Sequence, residues 1–245
     1  MAELHPTSRP PDLGDIRDRD YWDRRYGRSE FVWTAEPNRF VVAELADLAP
    51  GRALDLACGE GRNAVWLAER GWSVTAVDFS EIGLAKAARL AASRGVEAKW
   101  VLADLLEYEP PIGVFDLVVL LYLQVPAEEF RLVLARAADA LAPGGTLLVV
   151  GHDLANLTEG YGGPSSPEVL YTSEDVVAGL PGLSVEKAGR VRRPVAVDGE
   201  EHVALDALVR AVKPPGGQEP QLLEGAGEMT GAELHRESDR GNVRS

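Results

Sequence analysis

Residues 54–63 read LDLACGEGRN and connect a short apolar run to a helical pattern. The run 53–57 is typical of a buried strand, and 62–70, which stops at Gly71, is typical of a helix. Small residues at every second position of the connection let a ligand approach the backbone where a Cβ atom would collide. This stretch therefore predicts a strand, a ligand-binding loop and a helix.

Strand-like and helical patterns alternate along the chain on both sides of this loop. Alternation of this kind predicts a mainly parallel sheet that is covered on both faces. An Asp198-Gly199 turn between the last two apolar runs predicts an antiparallel hairpin. The expected fold is α/β, Rossmann-like and doubly wound, with a mainly parallel seven-stranded sheet ending in that hairpin. The predicted strands are 53–57, 73–77, 96–102, 115–121, 146–151, 183–193 and 202–212.

The chain ends differ in composition from this alternating region. Residues 1–15 are polar and broken by prolines, which predicts a flexible arm. The domain is expected at 16–213, with a helical lid at 16–50. Residues 214–245 carry six acids and three arginines without apolar periodicity, which predicts a disordered tail.

Composition narrows the class of partner. The 245 residues include 39 acidic and 25 basic side chains, a net charge of −14 that repels nucleic acid and anionic lipid. The single cysteine, Cys58, excludes an internal disulfide and a multi-cysteine zinc site, and no metal is expected. The N-terminal residues lack a secretory signal layout, and no apolar run is long enough for a membrane span. We therefore expect a soluble cytoplasmic protein, a monomer or homodimer, without nucleic-acid or membrane partners.

Two ligands fit the glycine-rich loop. As a dinucleotide loop it would place a pyrophosphate at the helix N-terminus, with Asp78 on the ribose. The other ligand is S-adenosylmethionine, which also contains an adenosine but no phosphate. The acids Asp55 and Glu60 would repel a pyrophosphate and attract a sulfonium or amino group. The sign of this charge favours the methyl donor.

Five motifs in order give the chain a resemblance to class I S-adenosylmethionine-dependent methyltransferases, over roughly residues 20–213. Ala57 stands where the loop of that family often has glycine. The opening YWDRRYG…EPNRF and the CGEGRN loop are similar to a small-molecule branch near the tellurite-resistance and thiopurine methyltransferases. The five motifs are LDLACGEG, VTAVDFS, LADL, FDLVV and LAPGG.

The resemblance implies S-adenosyl-L-methionine as the cofactor and assigns roles to residues at the strand ends. The end of the fourth strand, from Leu120 to Tyr122, would present carbonyls to the amino group of the donor and floor the acceptor pocket. The implied contacts are Asp55, Ala57, Gly59 and Gly61 on the methionine side, Asp78 on the ribose, Phe79, Asp104 and Leu105 on the adenine, and Leu121 on the amino group.

Methyl transfer from a sulfonium requires chiefly orientation and exclusion of water, and a base helps only a hydroxyl or amine acceptor. His152, after the fifth strand, is the candidate base, although a hydrogen-bonded structural histidine is an equal interpretation. Tyr161 lies in a Gly- and Pro-rich loop, 153–171, that could cover an acceptor, and Tyr122 is a further candidate.

Other side chains have competing interpretations. The aromatic residues Trp22, Tyr26 and Trp33 fit either a lid or packing of the N-terminal helix. Cys58 is expected as a small turn residue rather than a nucleophile. The pair Arg192-Arg193 and the residue His202 are expected at solvated positions, although the arginines could also meet an anionic acceptor.

The sequence therefore predicts transfer of a methyl group from S-adenosylmethionine to a small-molecule acceptor. Two alternatives stay open at this point. One is a Rossmann-type NAD-dependent oxidoreductase, and the other is a catalytically silent domain that binds S-adenosylmethionine.

Overall fold

The computed structural model describes residues 19–197 and 199–216. Helices and strands alternate through most of this range, and a 3₁₀ turn lies at Pro167–Val169. In chain order the elements are α1 (Arg19–Tyr26), α2 (Arg39–Leu45), β1 (Arg52–Leu56), α3 (Arg62–Glu69), β2 (Ser73–Asp78), α4 (Glu81–Ser93), β3 (Lys99–Leu102), β4 (Phe115–Leu121), α5 (Ala127–Ala140), β5 (Leu141–His152), α6 (Asn156–Glu159), α7 (Ser173–Ala178), β6 (Ser184–Val197) and β7 (Glu200–Val212).

The strands form a seven-stranded sheet in the order β3-β2-β1-β4-β5-β7-β6. The first five strands along the chain are parallel, and β7 runs antiparallel to both β5 and β6. The order reverses between β1 and β4, which is where open α/β sheets form their ligand crevice. The predicted α/β architecture with its terminal hairpin is confirmed.

Both faces of the sheet are covered because alternate strand residues point to opposite sides. Along β4, Val118 and Leu120 pack with α5 and α7, whereas Leu117 and Val119 pack with α2 and α3. All four side chains are fully buried. The continuous apolar sequence of the strand is therefore explained by burial on two faces.

Several strand boundaries differ from the predictions, because backbone hydrogen bonds shorten β3 and lengthen β5, β6 and β7. β3 begins at Lys99 rather than 96, because the Val96 N–H still donates to the carbonyl of Ala91 at the end of α4. β5 begins before the predicted Pro-Gly-Gly turn, because Leu141 already pairs with Phe115. The hairpin strands are longer than predicted and pair up to Val197 and Glu200.

Predicted helix caps are observed. The Ser80 hydroxyl accepts from the Gly83 N–H at 3.0 Å, and Thr172 with Asp175 forms a capping box at α7. The Asp198 position, the predicted arm 1–15 and nearly all of the predicted tail lie outside the described residues. Within the described ranges, no helix is long and apolar enough to cross a membrane.

Candidate functional site

A cavity of about 1970 Å³ opens at the carboxyl ends of β1, β2, β4 and β5. Its walls include α1, the loop after β1, the segment 160–165 and one end of β6. Typical pockets for one small ligand measure roughly 300–1000 Å³, so this cavity has room for two ligands side by side.

The loop after β1 has the backbone of a ligand cradle. Ala57, Gly59 and Gly61 adopt positive φ angles of 59°, 53° and 77°. The left-handed conformation costs an alanine about 1–2 kcal/mol relative to a glycine, which explains why glycine is common at the position of Ala57. A Cβ atom on Gly59 would lie 2.7 Å from the hydroxyl oxygen of Tyr26. Gly59 and Ala57 both line the cavity, as predicted for the methionine side.

Gly61 has a different role from the one predicted. It does not line the cavity, and a Cβ atom there would lie 2.5 Å from the Cβ of Ala87 and 3.0 Å from the ring of Trp100. Its missing side chain lets α3 approach α4 closely. The predicted ligand contact of Gly61 stays a prediction, whereas its packing role is observed.

Asp78 ends β2 and lines the cavity beside the loop. Its two carboxylate oxygens accept from the backbone N–H groups of Gly59 at 2.8 Å and Ser80 at 2.9 Å. Burial raises the pKa of Asp78 to about 6, against the opposing effect of these bonds. A carboxylate has about four acceptor positions, so Asp78 can still accept ligand hydroxyls.

Asp55 lies beneath the loop and does not line the cavity. Its side chain is 1% exposed, and its Oδ2 atom has no hydrogen-bond partner. Burial and the nearby Asp78 raise the pKa of Asp55 to about 8, so it is mostly protonated at neutral pH. The contact of Asp55 with the methionine side stays a prediction, and in this structure the Asp55 side chain is buried beneath the loop.

Glu60 also differs from its predicted role. Its carboxylate forms a buried ion pair with Lys86 at 2.8 Å and accepts from the Val32 N–H at 3.0 Å. The Lys86 ammonium donates in addition to the carbonyl of Ser29. Glu60 therefore fastens the N-terminal segment to α4, and its charge is compensated by a cation. The prediction that the charges of Asp55 and Glu60 attract a sulfonium or amino group is therefore corrected, because Asp55 is mostly protonated and Glu60 is paired with Lys86.

The residues that the resemblance implies for the adenine and for the donor amino group also lie at the cavity. Phe79, Asp104 and Leu105 all line the cavity, and Leu121 does so from the end of β4. The Oδ1 atom of Asp104 accepts from the Leu106 N–H at 2.9 Å, which fixes the turn after β3. We refer below to residues 57–61 and 78–79 as the donor end of the cavity.

A second polar group lies at the opposite end, which we call the acceptor end: Tyr122, His152, Arg193 and Asp206. Asp206 is fully buried in β7 and accepts from the Tyr122 hydroxyl at 2.9 Å and from Arg193 Nε at 2.7 Å. His152 Nδ1 lies 3.4 Å from Asp206 Oδ1, across the β5–β7 pair. One carboxylate thus accepts hydrogen bonds from Tyr122 and Arg193, and His152 Nδ1 lies beside it without a hydrogen-bond partner.

His152 lies in the cavity wall, as predicted. Burial lowers the pKa of His152 to about 4, and the attraction of Asp206 only partly offsets this effect. A neutral imidazole at pH 7 accepts a hydrogen bond, but it is a weak proton acceptor for general base catalysis. Gly163 packs against the ring, where a Cβ atom would lie 2.9 Å from it.

Tyr122 follows β4 with a positive φ of 54°. Burial and the Asp206 carboxylate raise the pKa of the Tyr122 phenol, which keeps it a neutral hydrogen-bonding group. The guanidinium of Arg193 lies 5.5 Å from the centre of the Tyr122 ring. The Asn38 amide reaches the phenol oxygen at 3.5 Å. Contacts with Asp206, Arg193 and Asn38 therefore fix the position of the Tyr122 side chain.

Tyr161 lines the cavity and stacks on His202, with ring centres 3.9 Å apart. Its N–H donates to the carbonyl of Val203, so this part of the loop docks on β7. His202 is partly buried by that contact, unlike its predicted surface position. Trp22 and Trp33, like Tyr26, also line the cavity, and Tyr26 is buried against the loop.

The expectation of a solvated Arg193 is wrong. Its neighbour Arg192 is exposed, but Arg193 points inward and binds Asp206. The hairpin register could have predicted this contact. Pairing Val197 with Glu200 places Arg193 opposite Ala204 and diagonally beside Asp206. A charged residue within the apolar run VALDALV marked the same position.

The sheet order, the left-handed loop after β1 and the acid at the end of β2 fit the resemblance to class I S-adenosylmethionine-dependent methyltransferases. The match to a family model identifies the same class: residues 53–145 match the methyltransferase domain. This match covers less than half of the chain, and over that part it confirms the resemblance to S-adenosylmethionine-dependent methyltransferases.

Relatives and solved structures are similar to parts of the chain. It is 39% identical over 114 residues to demethylmenaquinone methyltransferase of Thermus thermophilus, covering 46% of this chain and 52% of that protein. The chain thus spans about half the length of the curated relatives that it matches. TehB from Haemophilus influenzae has a TM-score of 0.63 at 18% identity, covering 80% of this chain and 66% of TehB. The N-methyltransferase NodS from Bradyrhizobium japonicum, solved with S-adenosyl-L-homocysteine, has a TM-score of 0.61 at 20% identity, covering 80% of this chain and 98% of NodS. Both structures show the same fold.

Proposed function

We propose that this protein transfers a methyl group from S-adenosylmethionine to a small molecule bound at the acceptor end of the cavity. The observation that carries the proposal is the shared cavity. The donor end, with Gly59 and Asp78, and the acceptor end, with Tyr122 and Arg193, open into the same space.

The donor end fits an adenosine-containing ligand. Gly59 lacks a side chain, which leaves room for the Tyr26 hydroxyl beside the loop, and its N–H donates to Asp78. Asp78 would hold the ribose hydroxyls, and Phe79, Asp104 and the backbone of Leu105 would bind the adenine. Ala57 and Leu121 would lie along the methionine side. The similarity to demethylmenaquinone methyltransferase over 114 residues supports this proposal, and NodS, solved with S-adenosyl-L-homocysteine, shares the fold.

The chemistry requires a methyl group on a sulfonium, which S-adenosylmethionine supplies when bound. The protein contributes alignment, because an in-line displacement loses rate steeply with misorientation. Asp206 accepts the single Tyr122 hydroxyl proton and binds Arg193, so Tyr122 presents a fixed hydrogen-bond acceptor and Arg193 a fixed positive charge to a bound methyl acceptor. His152 stays neutral at physiological pH, which suits an acceptor that is already nucleophilic. Closure by Tyr161 and the tryptophans of the N-terminal segment would exclude water.

Binding of S-adenosylhomocysteine tests the donor end against the NAD-dependent alternative. Isothermal titration is expected to show binding of S-adenosylhomocysteine and none of NAD. Asp78→Ala removes charge-assisted hydrogen bonds worth about 1.5–3 kcal/mol, which corresponds to a loss of about 10- to 150-fold in affinity. Asp139→Ala, an exposed acid on α5, is the matched control and should bind like the wild type. Equal affinity in wild type and a folded Asp78→Ala variant would contradict the donor assignment.

Turnover separates an enzyme from a silent binding domain. A screen of thiol, hydroxyl, amine, carboxylate and metalloid-oxyanion acceptors, with formation of S-adenosylhomocysteine as the readout, is expected to find at least one substrate. Replacing Tyr161-Gly162-Gly163 by a serine linker should then lower turnover at least tenfold, about 1.4 kcal/mol at the transition state, and leave donor affinity within threefold. Donor binding without turnover on any acceptor class would favour the silent domain.

A further inference from the structure

A chain of hydrogen bonds runs from the cavity wall into the sheet at the acceptor end. The Tyr122 hydroxyl donates its single proton to Asp206 at 2.9 Å, and Arg193 binds both oxygens of the same carboxylate, at 2.7 and 3.3 Å. Tyr122 and Arg193 line the cavity, whereas Asp206 is fully buried behind them. A ligand in the cavity therefore meets Tyr122 and Arg193 rather than Asp206 itself.

Folding alone does not explain a carboxylate at this position of β7. Asp206 interrupts the apolar run VALDALV, and its neighbours Leu205 and Ala207 are buried. Replacing a buried ion pair by apolar residues of similar volume is often neutral or even stabilising. The presence of the carboxylate is therefore better explained by its effect on Tyr122.

The bond to Asp206 determines what Tyr122 offers to a ligand. Because its proton is directed at the carboxylate, the phenol oxygen can offer only lone pairs to the cavity. It has two of them, and the Asn38 amide, at 3.5 Å, occupies at most one. Burial and the Asp206 carboxylate raise the pKa of Tyr122, so the phenol keeps its proton at neutral pH. A ligand that matches this oxygen must bring a donor proton.

This requirement separates the possible nucleophiles into two classes. A thiolate or a metalloid oxyanion has no proton to donate, so its charge would face the lone pairs of the Tyr122 oxygen. A hydroxyl or an amine has a lone pair for the methyl carbon and a proton for Tyr122. A neutral amine is already nucleophilic, and a hydroxyl becomes more so as its proton shifts towards a base.

We propose that Tyr122 is a catalytic residue that accepts a hydrogen bond, and then the proton, from a hydroxyl or amine of the methyl acceptor, and that Asp206 acts through Tyr122 as the final proton acceptor. This inference rests on the proposed function and narrows its substrate class to acceptors that carry a proton on the attacking atom. Arg193 keeps Asp206 ionised before the transfer, because a neighbouring positive charge favours the charged carboxylate.

The transfer balances in charge and in protons. The attacking oxygen or nitrogen forms its bond to the methyl carbon, whose bond to sulfur breaks and leaves its electron pair on sulfur. The proton of the attacking atom moves to the Tyr122 oxygen, while the Tyr122 proton moves along the 2.9 Å hydrogen bond to Asp206. A positive sulfonium and a negative carboxylate thus become a neutral thioether and a neutral carboxylic acid. After product release, Tyr122 returns the proton from Asp206 to water in the cavity.

Binding of phenol and toluene to the protein alone tests the hydrogen bond without any turnover. The two probes have nearly the same shape, but only phenol has a proton to donate. The rings of Tyr122, His152 and Tyr161 line the acceptor end, where an aromatic probe fits. Tyr122→Phe removes the phenol oxygen of the protein and keeps the ring. Titration calorimetry should show phenol binding weakened about threefold to tenfold, the range for one neutral hydrogen bond, and toluene binding weakened less than twofold.

Turnover separates proton transfer from a structural role. The acceptors compared are phenol and thiophenol at pH 8, where thiophenol is ionised and has no proton to lose. Tyr122→Phe and Asp206→Asn are expected to lower kcat for phenol at least tenfold, as for loss of a general base. Asp206→Asn keeps an oxygen that accepts the Tyr122 proton, so KM for phenol should stay within threefold. Both variants should methylate thiophenol within twofold of the wild-type rate.

Tyr108→Phe is the matched control. Tyr108 is a partly buried tyrosine that does not line the cavity, so this variant should match the wild type in both assays. Circular dichroism and the thermal melt would establish that each variant is folded. If Asp206→Asn does not fold, Tyr122→Phe decides the proposal by itself.

Phenol binding that is absent from the wild type, or equal in the wild type and Tyr122→Phe, would overturn the proposal. An equal loss of rate with phenol and thiophenol would also overturn it, because that pattern indicates a structural defect. The same holds for a wild type that methylates thiolates or oxyanions but no hydroxyl or amine. A wild type without any turnover contradicts the proposed function instead, and the phenol titration then still decides whether Tyr122 receives a donor proton.

Discussion

The donor end and the acceptor end of the same cavity are built in different ways. The donor end comes from two neighbouring strand-to-helix connections, and its main contact joins the Gly59 N–H to Asp78, 19 residues apart. The acceptor end joins β4, β5, β6 and β7, and its Tyr122–Asp206 bond spans 84 residues. One end depends on local backbone conformation, whereas the other depends on strand register.

This difference determines what a mutation can disturb. A side chain added to the donor loop changes the local space for a ligand and leaves the sheet intact. A carboxylate removed from the acceptor end leaves Arg193 unpaired inside the sheet, so stability is lost together with geometry. The two ends should therefore separate experimentally into a binding defect and a stability defect.

The largest expected effect is at the donor end. Gly59→Val places a branched side chain at a φ of 53°, with its Cβ 2.7 Å from the Tyr26 hydroxyl oxygen. We expect no measurable binding of S-adenosylhomocysteine by titration calorimetry, with a nearly native far-UV circular dichroism spectrum. The sheet should survive because the loop lies outside every strand.

Gly95→Val is the matched control for this variant. Gly95 has a φ of 68°, but no atom lies within 4 Å of its added Cβ. The control therefore has the same backbone strain without obstruction of the cavity, and it should lose stability while binding normally. Normal binding by Gly59→Val would show that this loop is not the donor site.

The next effect concerns the acceptor end. Asp206→Ala removes the partner of Arg193 and the acceptor of the Tyr122 hydroxyl. Breaking a fully buried pair costs about 3–5 kcal/mol. The Arg193 side chain is 23% exposed, so we expect a smaller loss of about 2–3 kcal/mol in the free energy of unfolding, measured by denaturant titration.

Glu128→Ala provides the comparison for a solvated pair. Glu128 and Arg131 form an exposed pair on α5, and its loss should cost less than about 1 kcal/mol. The affinity of Asp206→Ala for S-adenosylhomocysteine should stay within threefold of the wild type. A tenfold loss of donor affinity, with little loss of stability, would place Asp206 in the donor site.

The donor end was predictable from sequence because its parts are local. Small residues after β1 and an acid after β2 indicate a loop and a strand end regardless of distant contacts. The roles of individual residues were less predictable. Gly61 serves helix packing, and the charge of Glu60 is compensated by Lys86, 26 residues further along the chain. Neither contact has a local sequence signature.

The acceptor end was predictable only in part. His152 and Tyr122 follow from their positions at strand ends, but Arg193 and Asp206 require the register of the terminal hairpin. A shift of one residue would turn both side chains to the opposite face. The pairing of Val197 with Glu200 specifies that register, and combining the predicted hairpin with the acid inside the apolar run of β7 would have identified the pair.

The smallest expected effect is the pH dependence of donor binding, which tests the donor end alone. The pKa of Asp78 is raised to about 6, so its carboxylate is ionised at pH 7 and mostly protonated at pH 5. Ribose hydroxyls donate to the ionised form, and binding below pH 6 must therefore displace a proton. From this pKa, the affinity for S-adenosylhomocysteine should fall about tenfold between pH 7 and pH 5. Asp55 stays protonated throughout this range, with its pKa of about 8, and His152 stays mostly neutral, with its pKa of about 4. Asp78→Asn carries no titrating group at this position, so its weaker affinity should change less than twofold over the same range. A tenfold fall that persists in Asp78→Asn would assign the titration to another group and remove Asp78 from the ribose contact.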